Sequence, residues 1–176
     1  MSRAGRPTSR VGSRRGVTGK ALDPIQAADL ALEGLSFLTD AAVGALDTCS
    51  IASTLILCPV DMTDTCDIAG RMEAHGSWSG SIDSTGAGEL VLESSATMTD
   101  CQFEGGVVVN GDPALTLAAT VKTDGSGTFQ FGGGITWVDR DGSAGACQVS
   151  VSFMVDVAGE EAASGTVCGI DVNTLE

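Results

Sequence analysis

The stretch that decides the fold runs from Thr128 to Val157 and reads TFQFGGGITWVDRDGSAGACQVSVSFMVDV. Apolar residues take every second position on both sides of the central segment 139–143. Side chains on a β-strand point alternately to the two faces of the sheet, so this pattern predicts two strands with one apolar and one polar face. The Asp-Gly turn between them predicts a long antiparallel hairpin.

The same two-residue period extends upstream to Arg71 and returns in the last segment of the chain. Turn signals divide this region at Ser84-Thr85-Gly86, at Asn110-Gly111-Asp112-Pro113 and at Asp124-Gly125. We therefore expect about seven strands in simple succession, and the short connections make them antiparallel neighbours.

One long helix is predicted ahead of the strands, from Asp23 to Asp47. Asp23 can cap it, Pro24 suits the first helical position, and Gln26 lies at the capping-box position. Its polar residues form one narrow stripe, so most of its circumference must be covered by other parts of the protein. The stripe consists of Gln26, Asp29, Glu33, Ser36, Asp40 and Asp47. We expect an α+β fold with this helix in the concave face of a twisted, roughly seven-stranded antiparallel meander, a half-open barrel.

The chain divides into an arm and one domain. Residues 1–20 are predicted to be a disordered basic arm, since they hold six of the nine basic residues and almost nothing to bury. Residues 21–176 are predicted to be a single domain, made of the helix at 23–47, a Cys-containing loop at 48–70 and the β-meander at 71–172. All 23 acidic residues lie in that domain, against three basic ones. This charge excludes nucleic acid and an anionic membrane surface as partners of the domain.

Six cysteines in so small a domain favour disulfides and an oxidising, exported location. The candidates are Cys49, Cys58, Cys66, Cys101, Cys147 and Cys168. Their pairing stays open, and buried free thiols are the alternative. Pro59 and a run of three aspartates predict an irregular loop between Cys58 and Cys66, which a local disulfide would close.

The export signal is less clear than the cysteines. Ser13-Arg14-Arg15 resembles the start of a twin-arginine signal, but Asp23, Pro24 and Asp29 interrupt the apolar segment that should follow, so no convincing signal peptide is identified. No run of about eighteen apolar residues occurs, so no transmembrane helix is predicted.

Three motifs suggest chemistry and are better explained otherwise. His75 and Ser77 share the polar face of one strand, but the segment lacks the nucleophile-elbow pattern, so a solvated histidine is expected. Asp83-Ser84-Thr85-Gly86 has no second copy to supply a catalytic carboxylate pair and is expected to be a turn. Asp139, Asp141 and Ser143 have calcium-loop spacing but lack the required glycine and glutamate. Weak calcium binding there, or at Asp61, Asp64 and Asp67, is the alternative.

No catalytic residue, cofactor site or metal site is predicted. The expected function is a non-catalytic, exported or cell-surface structural or interaction module, with a protein partner or self-association through a sheet edge. The alternative is a carrier that binds an apolar small molecule or lipid between helix and sheet. Its pocket would be lined by Trp78, Phe129, Phe131, Trp137 and Phe153.

Overall fold

The computed structural model describes residues 22–47, 49–52, 54–103, 105–111 and 113–174, with the backbone alone at 50–52. The predicted disordered arm lies outside these residues. One helix, α1 (Pro24–Asp47), precedes ten strands and a final 3-10 helix at Val172–Thr174. The strands are β1 (Ser50–Ala52), β2 (Leu55–Thr65), β3 (Ala69–Ile82), β4 (Gly88–Gln102), β5 (Val108–Asn110), β6 (Leu115–Lys122), β7 (Gly127–Val138), β8 (Ala144–Val155), β9 (Glu161–Val167) and β10 (Ile170–Asp171).

The helix begins at the predicted cap. The Asp23 Oδ1 atom accepts a hydrogen bond of 2.9 Å from the backbone N–H of Gln26. In return the Gln26 Oε1 atom accepts one of 3.2 Å from the backbone N–H of Asp23. Two amides that have no partner within the helix are thereby satisfied.

The strands form a single antiparallel sheet that follows the chain order. β5 and β6 share one place in it, because both pair with β4 on one side and β7 on the other. The helix packs on one face of this sheet, which curves as a half-open rather than a closed barrel. The predicted α+β architecture is therefore confirmed, with more strands than the expected seven.

Five strand connections use the same five-residue turn. They lie at 83–87, 103–107, 122–126, 139–143 and 156–160. In each turn the first amide donates to the fifth carbonyl, and the fourth residue is a glycine with φ between 81° and 88°. This is the three-residue hairpin loop in which a left-handed residue forms a bulge, and glycine adopts that conformation without a steric penalty.

One predicted turn was wrong. The chain reverses at 103–107, not at Asn110-Gly111-Asp112-Pro113, because β5 and β6 run in the same direction. β5 and β6 therefore form one line of pairing between β4 and β7, with an interruption between Asn110 and Leu115. Gly133 of β7 faces this interruption with φ 97°, and a Cβ atom there would overlap the Ala114 carbonyl. The interruption therefore requires glycine on the neighbouring strand.

The predicted loop at 48–70 was also wrong in its centre, where β2 pairs with β3 along its whole length. The Ile82 amide donates to the Thr54 carbonyl. The backbone N–H and C=O groups of even-numbered β2 residues therefore point toward β3, and those of odd-numbered residues point away from it. Pro59 is odd-numbered, and its missing N–H therefore falls on the side away from β3, where a strand tolerates proline.

The core lies between α1 and the face of the sheet that we call the inner face, which contains Trp78, Leu92 and Leu117. Leu38 of the helix is fully buried against this face. The Trp78 Nε1–H donates a buried hydrogen bond of 2.8 Å to the carbonyl of Ala42, which ties the helix to the middle of the sheet. Because the barrel is only half-open, covering is incomplete, and helix residues such as Leu32 remain 40% exposed.

Candidate interaction surface

The other side of the sheet, which we call the outer face, carries aligned rows of short side chains. Strand registers place one residue from each of six neighbouring strands (β3, β4, β6, β7, β8 and β9) in the same row. One row consists of Ser77, Glu93, Ala118, Gln130, Ser152 and Ser164. The adjoining row consists of His75, Ser95, Thr116, Gly132, Ser150 and Thr166.

These rows are dominated by hydroxyl groups. A serine or threonine hydroxyl can both donate and accept a hydrogen bond, so such a surface can adapt to either kind of partner group. Alanine and glycine beside the hydroxyls keep the surface low, which allows a partner to approach the strands closely. The sequence indicated a polar face, but it did not show that these side chains line up across strands.

A shallow cavity of about 370 Å³ lies over β6–β9 within these rows. Its lining residues are Thr116, Ala118, Gln130, Phe131, Gly132, Ser150, Val151, Ser152, Ser164 and Gly165. None of them is charged, although the chain contains 23 acidic residues. A second cavity of about 370 Å³ continues toward the strand ends and includes Lys122, Asp156, Glu160 and Glu161 in its lining.

The five aromatic residues predicted to line an apolar pocket lie in different places. Trp78 and Trp137 are buried in two separate core clusters. Phe131 packs against both clusters and also contributes to the first outer cavity. Phe129 and Phe153 are half-buried and face each other across β7 and β8, with ring centroids 6.0 Å apart.

Trp137 and Asp139 contain buried polar atoms without a hydrogen-bond partner in the described part of the chain. These atoms are the Trp137 Nε1 and the Asp139 Oδ2. The other carboxylate oxygen of Asp139 accepts a 2.6 Å bond from the Arg140 amide. Asp141, which shared the calcium-loop spacing, lies in the turn and accepts a bond from the Ser143 amide instead.

His75 has a carboxylate neighbour, but the arrangement around it is open to solvent. The His75 Nδ1 atom lies 3.4 Å from the Asp61 Oδ1 atom on β2, and the two side chains are 62% and 76% exposed. Ser77 is the next residue on the same face of β3, about 7 Å further along the strand. No hydrogen bond joins Ser77 to His75 among the described residues.

Four exposed turn aspartates have a lowered pKa. Side-chain hydrogen bonds from Thr85, Ser126 and Ser143 are the main cause of the lowered pKa of Asp83, Asp124 and Asp141, respectively. The backbone amide of Asn173 has the same effect on the pKa of Asp171. These carboxylates stabilise turns. Among the described residues, no three His, Cys, Asp or Glu side chains are grouped as metal ligands.

All six cysteines form disulfides. The pairs are Cys49–Cys58, Cys66–Cys101 and Cys147–Cys168, with Cα atoms 5.0, 5.4 and 4.5 Å apart. The predicted local bridge between Cys58 and Cys66 was therefore wrong. Most of the extended strand β2 separates the two residues, since Cys58 lies near its start and Cys66 follows its last residue. Three disulfides fit a disulfide-stabilised, exported domain. Within the residues that the structure describes, no helix is long and apolar enough to span a membrane.

Comparison with known proteins adds no relative. No protein-family model matches the chain, and no curated protein or solved structure is significantly similar to it.

Proposed function

We propose that the protein is a non-catalytic, exported or cell-surface module that binds a macromolecular partner through the outer face of β6–β9. One observation carries this proposal: the 370 Å³ cavity on that face has ten lining residues and no charge among them. Protein interfaces are depleted in charged residues at their centre. An uncharged, hydroxyl-rich patch on an otherwise acidic domain has that character.

The acidic residues around the patch would contribute to specificity. Glu93 lies in the same row as Ser152, and Asp156, Glu160 and Glu161 line the adjoining cavity. Charges at the rim of an interface select partners and accelerate association more than they increase affinity. A partner with an uncharged centre and a basic rim fits this surface.

A substitution at the centre of the patch tests the binding role. Ser152→Arg places a long cation in the cavity, whereas Ser79→Arg makes the same change on the outer face of β3, outside both described cavities. We expect immobilised wild-type and Ser79→Arg proteins to retain the same partner protein from the producing cells, identified by mass spectrometry. Ser152→Arg should lose it. Equal retention by all three would contradict the proposed surface.

The disulfides test the location. In protein isolated from its native source without reductant, peptide mapping should recover the three pairs described above and no free thiol. Exported proteins keep such bonds because their environment is oxidising. Six reduced cysteines in native material would contradict the exported assignment.

One observation favours the carrier as a second candidate. The Phe129–Phe153 pair lies on the inner face of the half-open barrel, and both side chains are half-buried. An apolar ligand could cover these rings. Native mass spectrometry of the purified protein would then show a bound small molecule that Phe153→Ala loses, and an unliganded mass for wild type would argue against a carrier.

A further inference from the structure

The exposed side of α1 carries large aliphatic side chains, whereas its buried side is mostly small. Seven of the eleven buried helix residues are alanine or glycine. Ile25, Leu32, Val43 and Leu46 lie outside the core and are 37% to 62% exposed. Isoleucine and valine form helices less readily than alanine, so helix propensity does not explain their presence. Several aliphatic side chains left in water along one helix indicate a surface for a partner.

The exposed side of the helix follows a seven-residue repeat. The residues that recur at this interval are Ile25, Leu32, Thr39 and Leu46. The Thr39 hydroxyl donates a 2.8 Å hydrogen bond to the carbonyl of Leu35, so it needs no partner outside the helix. From Ile25 to Leu46 the repeat spans about 32 Å, at 1.5 Å per residue. We call this row and the residues between its members the contact line of α1.

The residues between the members of the repeat complete the contact line. Asp29, Ser36 and Val43 each follow a member by four residues, and all three are exposed. Steps along the line are therefore alternately four and three residues, which is the spacing of helices that pack side by side. A charge enclosed by such packing must be paired. A docked helix therefore needs a basic residue opposite Asp29.

One flank of the contact line is acidic. Asp40 and Asp47 come directly after Thr39 and Leu46, and both are exposed. The helix as a whole contains four acidic residues and no basic one. Charged residues that flank a helix–helix contact set the choice and the orientation of the partner. A partner helix with basic residues fits this flank.

The two flanks together disfavour pairing with a second copy of the chain. The flank opposite the acidic one consists of Ala28, Leu35 and Ala42, which are buried in the core. Parallel pairing would require the acidic flank of one copy to reach this buried flank of the other. Antiparallel pairing would bring the two acidic flanks together, and facing like charges weaken association. The occupant should therefore be a different protein.

We propose that α1 docks a helix of a partner protein, packed side by side along the contact line. The partner helix has apolar residues at alternating steps of three and four, and lysine or arginine on the flank that faces Asp40 and Asp47. This docking covers the aliphatic side chains that the half-open barrel leaves in water. The proposal does not depend on the binding role of the outer face, because α1 lies on the opposite side of the sheet.

Binding of a synthetic peptide to the full-length protein tests this docking. The peptide has three heptads, with leucine along its contact line, lysine on both flanks and a fluorophore for anisotropy titration. We expect saturable binding to wild type and at least tenfold weaker binding to Leu32→Glu/Val43→Glu, which should unfold in urea as wild type does because both positions are exposed. Leu55→Glu/Leu57→Glu makes the same charge change at more exposed positions of β2 and should bind the peptide as wild type does.

Reversal of the acidic flank tests the charge of the partner. Asp40→Lys/Asp47→Lys should bind the lysine peptide at least tenfold more weakly than wild type. The same variant should bind more tightly than wild type to a matched peptide that has glutamate in place of lysine. Equal affinity of wild type for the two peptides would contradict a basic partner.

Four further results would overturn the proposal. The first is the absence of saturable binding of the lysine peptide to wild type. The second is undiminished binding to Leu32→Glu/Val43→Glu, which would show that net charge alone attracts the peptide. The third is a wild-type dimer in sedimentation analysis that this variant dissociates, which would assign the contact line to a second copy. The fourth is binding of wild type, but not of the variant, to phosphatidylcholine vesicles, which would assign it to a membrane surface.

Discussion

The inner and outer faces of the sheet differ in burial and polarity, although their residues alternate along each strand. Trp78 of the inner face is 4% exposed and bonded to the helix, while Ser77 and Ser79 on either side of it belong to the outer face. The inner face is covered by α1 and supplies the burial that stabilises the fold. The outer face contributes little burial, so its hydroxyl-rich rows are not needed to form the core.

Substitutions on the buried and the exposed sides of α1 should differ most in the free energy of unfolding that they remove. Leu38→Ala removes a side chain that is 0% exposed, whereas Leu32→Ala changes one that is 40% exposed. We expect Leu38→Ala to lower the free energy of unfolding by about 3 to 5 kcal/mol through loss of burial and a cavity. Leu32→Ala should cost less than about 1 kcal/mol, since little burial is lost. Urea unfolding measures both.

Equal losses of unfolding free energy in Leu38→Ala and Leu32→Ala would contradict this difference between the two sides of the helix. They would mean that the helix is covered, or uncovered, equally on both flanks. The outer-face variant Ser79→Ala provides a baseline, because exposed surface substitutions change the free energy of unfolding by less than about 0.5 kcal/mol.

The two tryptophans of the inner face differ in the hydrogen bonding of their indole N–H groups. Trp78→Phe removes the bond to the Ala42 carbonyl, whereas the Trp137 indole N–H has no partner among the described residues. Both changes lose similar volume, so their difference isolates the hydrogen bond. We expect Trp78→Phe to destabilise by about 1 kcal/mol more than Trp137→Phe in urea unfolding. A larger cost for Trp137→Phe would show that its N–H is satisfied.

A smaller effect, on the pKa of one carboxylate, is expected in the turns that connect the strands. The Ser126 hydroxyl is the main cause of the lowered pKa of Asp124, so Ser126→Ala should raise that pKa toward its ordinary value. A lowered folded pKa stabilises above the unfolded pKa of about 3.9 and loses this contribution as pH falls through the folded pKa. Ser126→Ala should therefore lose less stability on acidification.

An NMR titration of the side-chain carboxyl carbons measures this change directly. Asp83 is the control, since its own lowered pKa depends on Thr85 and should not move. An unchanged titration of Asp124 in Ser126→Ala would contradict the assigned cause.

Local sequence signals predicted the parts of the fold that depend on neighbouring residues. The alternation around Phe129 and Ile135 correctly separated the two faces, and Asp23 and Gln26 correctly marked the helix start. Turn composition misplaced one reversal, because Gly111-Asp112-Pro113 carries the stronger local turn signal, whereas the chain reverses at 103–107 with Gly106 at φ 85°.

Features that depend on distant residues could not be predicted. Cys66 pairs with Cys101 across 35 positions, and only the strand registers bring them together. The same holds for the candidate surface: Gln130 and Ser152 are neighbours because β7 and β8 pair in one register. Pro59 looked like a loop residue because its tolerance depends on which side of β2 its nitrogen faces.

Solvent accessibility of the two tryptophans shows whether α1 covers the inner face, because the chain has no others and both lie on that face. Acrylamide quenching can be recorded for wild type, Trp78→Phe and Trp137→Phe, in the native state and in urea. If α1 covers the inner face, native emission should be blue-shifted and poorly quenched in all three proteins, with full quenching only on unfolding. Native tryptophans that are quenched as strongly as in urea would show that the inner face is open to water.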